Sequence, residues 1–181
     1  MEPVTVGKLQ FGPVSAGMDL VGEPVRQYLQ HQSPSELWVT EIDPDLADTA
    51  AFCAHYDVGL DISANCVVVQ ARRADRTWYA ACVVLATTRA DVNGIIRKRL
   101  DARRISFAAM DDAVALTGME YGGITPIGLP ADWPILVDEA VRAAAGPVVI
   151  GSGIRGSKIL AAPDVLASLP GAEVLALVKT G

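Results

Sequence analysis

Histidine is nearly missing from this chain of 181 residues: His31 and His55 are the only two, and neither pairs with a second His, Cys or carboxylate at ligand spacing. That argues against a zinc- or iron-type centre built from the protein's own side chains. It also removes the usual general base from most serine or cysteine triads. Cysteine is scarce too. Cys53, Cys66 and Cys82 are odd in number and widely spaced, which fits reduced thiols packed as small apolar groups and excludes a disulfide framework. No apolar run approaches the ~18 residues of a membrane span. The N-terminal MEPVTVGKLQFG lacks the charged-then-hydrophobic layout of a signal peptide, so the expected location is the cytoplasm, with no membrane partner. A basic excess is absent as well: the net charge of −6 and pI near 4.8 argue against non-specific duplex binding and leave only local basic patches for nucleic acid.

What is present is apolar. Hydrophobic residues make up 51% of the chain, enough for a substantial single core, and one globular domain is expected over 35–181, with residues 1–34 as an N-terminal extension packed on it. In that extension Val25, Tyr28 and Leu29 carry one or two helical turns. Glu36 to Ile42 alternates as a half-buried strand, and Asp43–Pro44 is a cap and first turn for a helix running to His55 or Tyr56. Cys66–Val69 and Trp78–Ala86 read as a hairpin across the charged turn 72–76. Asp91–Leu100 has helical periodicity, Ile105–Phe107 can be a strand, and Met110–Leu116 a helix that Gly118 stops. A strand at Ile135–Val137, an N-cap at Asp138 and a helix over 139–145 follow, then strands at 148–150, 158–161 and 173–178, with a short helix over 164–169. The elements mix without a regular βαβ rhythm, which predicts an α+β fold with a mixed or barrel-like sheet.

Two glycine-rich stretches stand out. Thr117–Gly128, TGMEYGGITPIG, packs Gly118, Gly122, Gly123, Gly128 and Pro126 between apolar segments; it is either a loop holding a ligand against main-chain amides or a rigid connector. Gly151–Gly156 is a literal GxGxxG after a strand. It fails as a dinucleotide fingerprint because only a short segment follows and Pro163 interrupts any long helix. It fails as a phosphate-binding Walker loop because Ser157 and Lys158 stand in reverse order, and as a nucleophile elbow because Ile150 replaces the first glycine before Ser152. What survives is a tight turn whose amides, with Ser152 and Arg155, either face a ligand or form a plain β-turn. The basic group Arg97, Lys98, Arg99, Arg103 and Arg104 is either a solvated helix face or a contact for the phosphates of a nucleic-acid end.

With TGMEYGGITPIG, the following Val137 and Asp138, and the turn GSGIRGSK in that order, the chain resembles the YbaK family, the prolyl-tRNA synthetase-associated domain that edits mischarged tRNA. The resemblance spans roughly Asp45 to Val178, with the family's GxxxP signature on Gly122–Pro126, its preceding threonine and glycine on Thr117 and Gly118, and its late glycine loop on Gly151–Gly156. It implies a mixed α/β fold around a barrel-like sheet, and hydrolysis of the ester between a wrong amino acid and the terminal ribose of a tRNA, without metal or cofactor. The implied partners are the aminoacyl-tRNA acceptor end and an aminoacyl-tRNA synthetase. In that scheme Gly122, Gly123 and Pro126 hold the aminoacyl carbonyl, Asn65 orients the tRNA end or water, and Thr117, Gly118, Ser152, Gly153 and Arg155 bind substrate. Such a reaction needs positioning and oxyanion-stabilising amides more than a strong protein nucleophile. One residue departs from the pattern: editing members carry a lysine at the start of the strand Cys66–Val69, where this chain has Asn65, a neutral amide. Arg89 and Lys158 are the candidates for supplying that charge from another strand end. The departure keeps a second reading open, a non-catalytic module that has kept the pocket and binds an aminoacyl end or an amino-acid-like ligand.

Overall fold

The computed structural model describes residues 1–32 and 35–179. Strands β1 (Val4–Val6) and β2 (Leu9–Pro13) precede helix α1 (Glu23–His31). Then come β3 (Leu37–Glu41), α2 (Thr49–Tyr56), the hairpin β4 (Ala64–Arg73) and β5 (Arg76–Leu85), the single turn α3 (Arg97–Arg99), β6 (Arg104–Phe107) and α4 (Met110–Thr117). An irregular stretch over 118–134 leads to β7 (Ile135–Asp138), α5 (Glu139–Arg142), β8 (Val148–Gly151), β9 (Ser157–Ala161), α6 (Pro163–Ala167) and β10 (Ala172–Leu175).

The strands form two five-stranded sheets, ordered β1-β2-β3-β9-β8 and β10-β7-β5-β4-β6. The first is antiparallel throughout; the second is antiparallel across β6-β4-β5 and parallel across β5-β7-β10. A parallel bridge between Ser63 and Val149 joins the start of β4 to β8, so the sheets meet along one seam. The fold is α+β around a mixed, barrel-like sheet, as the sequence predicted.

Alternation along the strands divides the apolar residues into layers. In β3, Leu37 and Val39 enter the central core with Val83, Val137, Ile150 and Ile159, while Trp38 turns to the opposite face with Leu160, under Phe52 of α2. A third cluster lies on the far side of the second sheet, where Val69, Ala80 and Cys82 pack beneath Ile96. Phe11 and Phe52 are fully buried, each worth about 1.5–3 kcal/mol in transfer terms.

Several elements differ from their expected form, each for a local reason. The helix expected from Pro44 to Tyr56 is two pieces: Asp43 accepts from the Asp45 N–H and caps a 3₁₀ turn over Pro44–Leu46, and α2 starts afresh at Thr49. This break places Ala47 and Asp48 on the lining of what becomes the cleft. The segment expected as a helix over Asp91–Leu100 begins as a wide π-type turn, because the Asp91 carboxylate accepts from Gly94 and Ile95 N–H groups. Helix α5 ends at Arg142, before a turn that must place Gly146 extended ahead of Pro147. β10 is shorter than expected because the Asp138 carboxylate, besides capping α5, takes the Leu177 N–H at 2.8 Å. No strand is expected in residues 1–13, yet β2 hydrogen-bonds β3 and Phe11 enters the core. The boundary expected between Pro34 and Ser35 falls at the edge of residues 33–34, which lie outside the described residues. Among the described residues no helix is long and apolar enough to cross a membrane.

Candidate functional site

Helix α4 ends where expected: Gly118 adopts the left-handed conformation at φ 69°, and its N–H returns to the Val114 carbonyl. The chain beyond it is irregular but well tied down, because it docks on the second glycine-rich stretch. Glu120 N–H donates to the Gly153 carbonyl at 3.0 Å, and Gly153 N–H donates to the Gly123 carbonyl at 2.7 Å. The Glu120 carboxylate accepts the Arg155 N–H at 2.8 Å, and the Arg155 guanidinium donates to the Tyr121 and Pro44 carbonyls, each at 3.2 Å. The two motifs that the sequence set apart are therefore one structural unit. Gly122 sits at its centre with φ 91°, and a Cβ there would collide with the Arg155 guanidinium.

This unit forms one side of a cleft of about 420 Å³, within the size range of small-ligand sites. Asn65, Cys66, Val67 and Val68 of β4 line it, with Ala47, Asp48 and Thr49 at the start of α2, Phe107 and Ala108 at the end of β6, Ala113, Tyr121, Gly122, Ile124, Gly151 and Lys158. Thr49 Oγ1 donates to Asn65 Oδ1 at 2.6 Å, which fixes the amide and leaves its nitrogen without a partner among the described residues. Lys158 is only 7% exposed; its Nζ donates to the Ala47 carbonyl at 2.8 Å and lies 5.2 Å from the centre of the Phe52 ring. Burial pulls its ammonium down to about 8, opposed by Cys53 and Asp48 and assisted by Arg155. Cys66 reaches the cleft, but burial, and then the neighbouring Cys82 thiol, push it well above the ordinary thiol range, so it carries no thiolate at neutral pH.

A cleft with amide, hydroxyl and ammonium groups and no activated nucleophile suits a substrate that is already reactive. The aminoacyl-tRNA editing domain family matches residues 43–169. The chain belongs to that family. Among solved structures, the editing domain resembles a proposed trans-editing enzyme for prolyl-tRNA synthetase, at 20% identity and TM-score 0.73, over 87% of this chain and 96% of that one. It resembles hypothetical protein APE2540 at 19% identity and TM-score 0.75, over 87% and 100% of the two chains. A scaffold protein used for computational epitope grafting matches at 20% identity and TM-score 0.74, over 88% of this chain and 97% of its own. At these identities the likeness is one of fold. No curated protein matches the editing domain.

Of the carbonyl- and substrate-holding residues expected from the sequence, Asn65 and Gly122 stand on the cleft wall. The others lie behind it. Gly123 is buried and gives its carbonyl to Gly153; Pro126 is buried in the loop. Thr117 is 4% exposed, donating from Oγ1 to the Ala113 carbonyl and accepting from the Met119 N–H. Gly118 caps α4 away from the cleft, and Ser152 is fully buried, bonded within its own turn to the Ser157 and Ile154 carbonyls. Gly153 packs against Gly22, and Arg155 reaches the Gly122 region without lining the cleft. Arg89, one of the two candidate cations, is absent from the cleft lining, whereas Lys158 is part of it. Sequence reasoning missed Thr49, Phe107 and Tyr121. The signals were faint: an unexplained threonine after Asp48, and two aromatics, 66% and 55% exposed, in a chain only 6% aromatic.

Proposed function

We propose that the chain is a trans-acting aminoacyl-tRNA deacylase that hydrolyses the ester of mischarged tRNA and so serves translation fidelity. The observation that carries this reading is the convergence of Gly122, Asn65 and Thr49 on one cleft whose only thiol is held protonated. The aminoacyl ester enters with its carbonyl against the Gly122 loop, and water attacks the carbonyl carbon. Asn65, its oxygen held by Thr49, donates from its amide nitrogen to water or to the terminal ribose. Gly123 and Pro126 shape the loop from behind. Thr117 and Gly118 close α4 ahead of the loop, and Ser152, Gly153 and Arg155 support it from the second glycine turn. No metal or cofactor takes part, the protein works in the cytoplasm, and an aminoacyl-tRNA synthetase is its partner in supplying substrate.

The approach to the cleft supports a single-stranded nucleic-acid end. Cys66 and Val68 lie on the same side of β4 as Gln70 and Arg72, and across the ladder Ser106 and Arg104 pair with Gln70 and Arg72. Both arginines are exposed and unpaired with a carboxylate among the described residues, on a chain that is acidic as a whole. Phe107 and Tyr121 at the mouth offer ring faces for the terminal base.

The second reading, a non-catalytic module for an aminoacyl end, is favoured by Asn65 in the family's lysine position. A panel of mischarged tRNAs decides between them: the deacylase hydrolyses at least one member well above the buffer rate, and the module binds a member without accelerating any.

A further inference from the structure

Lys158 raises a question that the fold alone does not answer. A buried ammonium costs free energy unless it is paired, and no carboxylate lies within ion-pair distance of it among the described residues; the nearby Asp48 is engaged with Arg155 at 3.6 Å. Of its three N–H donors one is used, on the Ala47 carbonyl. A methionine would fill the same space under Phe52 without that cost.

The strand register explains how this lysine reaches the cleft that Asn65 lines. Gly151 pairs with Lys158 across β8–β9, and Ser63 bridges Val149 in parallel at the seam between the sheets. Beyond that bridge Asn65, Gly151 and Lys158 all line the cleft. Gly151, the strand partner of Lys158, has no side chain to screen the lysine from the cleft. Lys158 and Asn65 are tied to the same three-residue stretch: Lys158 to the Ala47 carbonyl and Asn65 to the Thr49 hydroxyl.

We propose that Lys158, delivered from the opposite sheet, supplies the cleft with the positive charge that Asn65 cannot, and acts on the carbonyl oxygen of the aminoacyl ester as it becomes negative. This rests on the aminoacyl-ester reading of the cleft. The depth of the group selects the oxygen: at 7% exposure Lys158 lies below the rim, where the exposed Arg72 and Arg104 are placed for phosphates. The α-amino group of the substrate is itself a cation and is no partner for it. In the step, a water oxygen bonds to the carbonyl carbon and the C=O electron pair moves to oxygen, beside the ammonium. The pair then returns as the bond to the ribose oxygen breaks, one water proton goes to that oxygen, and the other is released as the amino acid leaves as a carboxylate.

The test uses the full chain as wild type, Lys158→Met, and Lys158→Met combined with Asn65→Lys, assayed on the mischarged tRNA panel from pH 6 to 9.5 with the buffer rate subtracted. Lys158→Met lowers kcat about 100-fold with KM changed less than about threefold. The wild-type rate falls above about pH 8, where the ammonium flanked by Asp48, Cys53 and Arg155 loses its proton, and the variant lacks that limb. Asn65→Lys in the Lys158→Met background restores at least about tenfold, which a merely structural lysine would not allow. A folded Lys158→Met with kcat within about threefold of wild type overturns the proposal. Should the wild type hydrolyse nothing, the deacylase reading fails, and Lys158 is judged by calorimetry with an anionic phosphonate analogue of the aminoacyl-adenosine ester. Binding weakened about tenfold or more in Lys158→Met supports the charge contact, and equal binding overturns it.

Discussion

The polar wall of the cleft, Ala47–Thr49 with Asn65 and Lys158, is hydrogen-bonded; the apolar wall, with Val67, Val68, Phe107, Ala108, Ala113 and Ile124, offers carbon and no charge. The polar wall is built where a helix breaks and two sheets meet, so its groups come from three separate segments locked by short bonds. The apolar wall comes from β4, the end of β6, α4 and the glycine loop, and its outermost member, Phe107, is two-thirds exposed. The difference separates two tasks. The fixed wall suits chemistry on the ester, where small displacements are costly, and the carbon wall suits holding a side chain and a base.

If that division is right, substitutions on the two sides change different kinetic constants. Gly122→Ala has the largest effect outside Lys158: a left-handed φ costs an L-residue roughly 1–2 kcal/mol, and the new Cβ displaces the Arg155 guanidinium. Deacylation kcat/KM falls about tenfold or more at that strain, with the far-UV spectrum unchanged. Unaltered kinetics in a folded Gly122→Ala would take Gly122 out of the work on the ester. Phe107→Ala, by contrast, raises KM about fivefold and leaves kcat alone, because base stacking on an exposed ring is worth ~1–3 kcal/mol. A drop in kcat with KM constant would break the comparison.

A third difference concerns stability. The Lys158 ammonium is pulled down to about 8 in the folded protein from 10.5, so between those values the unfolded chain binds a proton that the folded one does not. Stability therefore rises with pH through that window, and below it the buried charge is a constant cost. Lys158→Met melts higher than wild type at pH 7, by about 2–4 °C for each kcal/mol regained, and the gap closes toward pH 10. Thermal melts at both pH values check it; a lower melting temperature for the variant at pH 7 would make the lysine a stabilising group. The smallest effect is expected at the track beyond the apolar wall. Removing Arg72 or Arg104 reduces the salt dependence of tRNA binding by about one contact's worth each, with turnover of bound substrate unchanged.

Much of the fold was legible because it rests on local chemistry. The strand alternation of β3, the Gly118 stop, the Asp138 cap and the hairpin β4–β5 are each set by residues within a few positions of one another. The glycine loop was legible as a candidate for the same reason, since four glycines and a proline in twelve positions are a local signal. The polar wall was not. Thr49 reaches Asn65 across 16 positions and Lys158 reaches Ala47 across 111, and nothing in the intervening sequence marks either meeting. Ser152 looked like a ligand group, and the resemblance gave Thr117 the same task, because a hydroxyl beside glycine reads the same whether it faces a cleft or closes its own turn. The strands at 4–13 were hidden by glycines and prolines that punctuate edges as readily as loops.

The most direct measurement is a titration of isotope-labelled protein with a non-hydrolysable amide analogue of aminoacyl-adenosine, followed residue by residue by NMR. The account predicts that the strongest shifts fall on both walls together, at Thr49, Asn65 and Lys158 on the polar one and Phe107 and Ala108 on the apolar one, and at Gly122 of the loop. Shifts confined to surfaces away from these residues, or none at millimolar analogue, would contradict it.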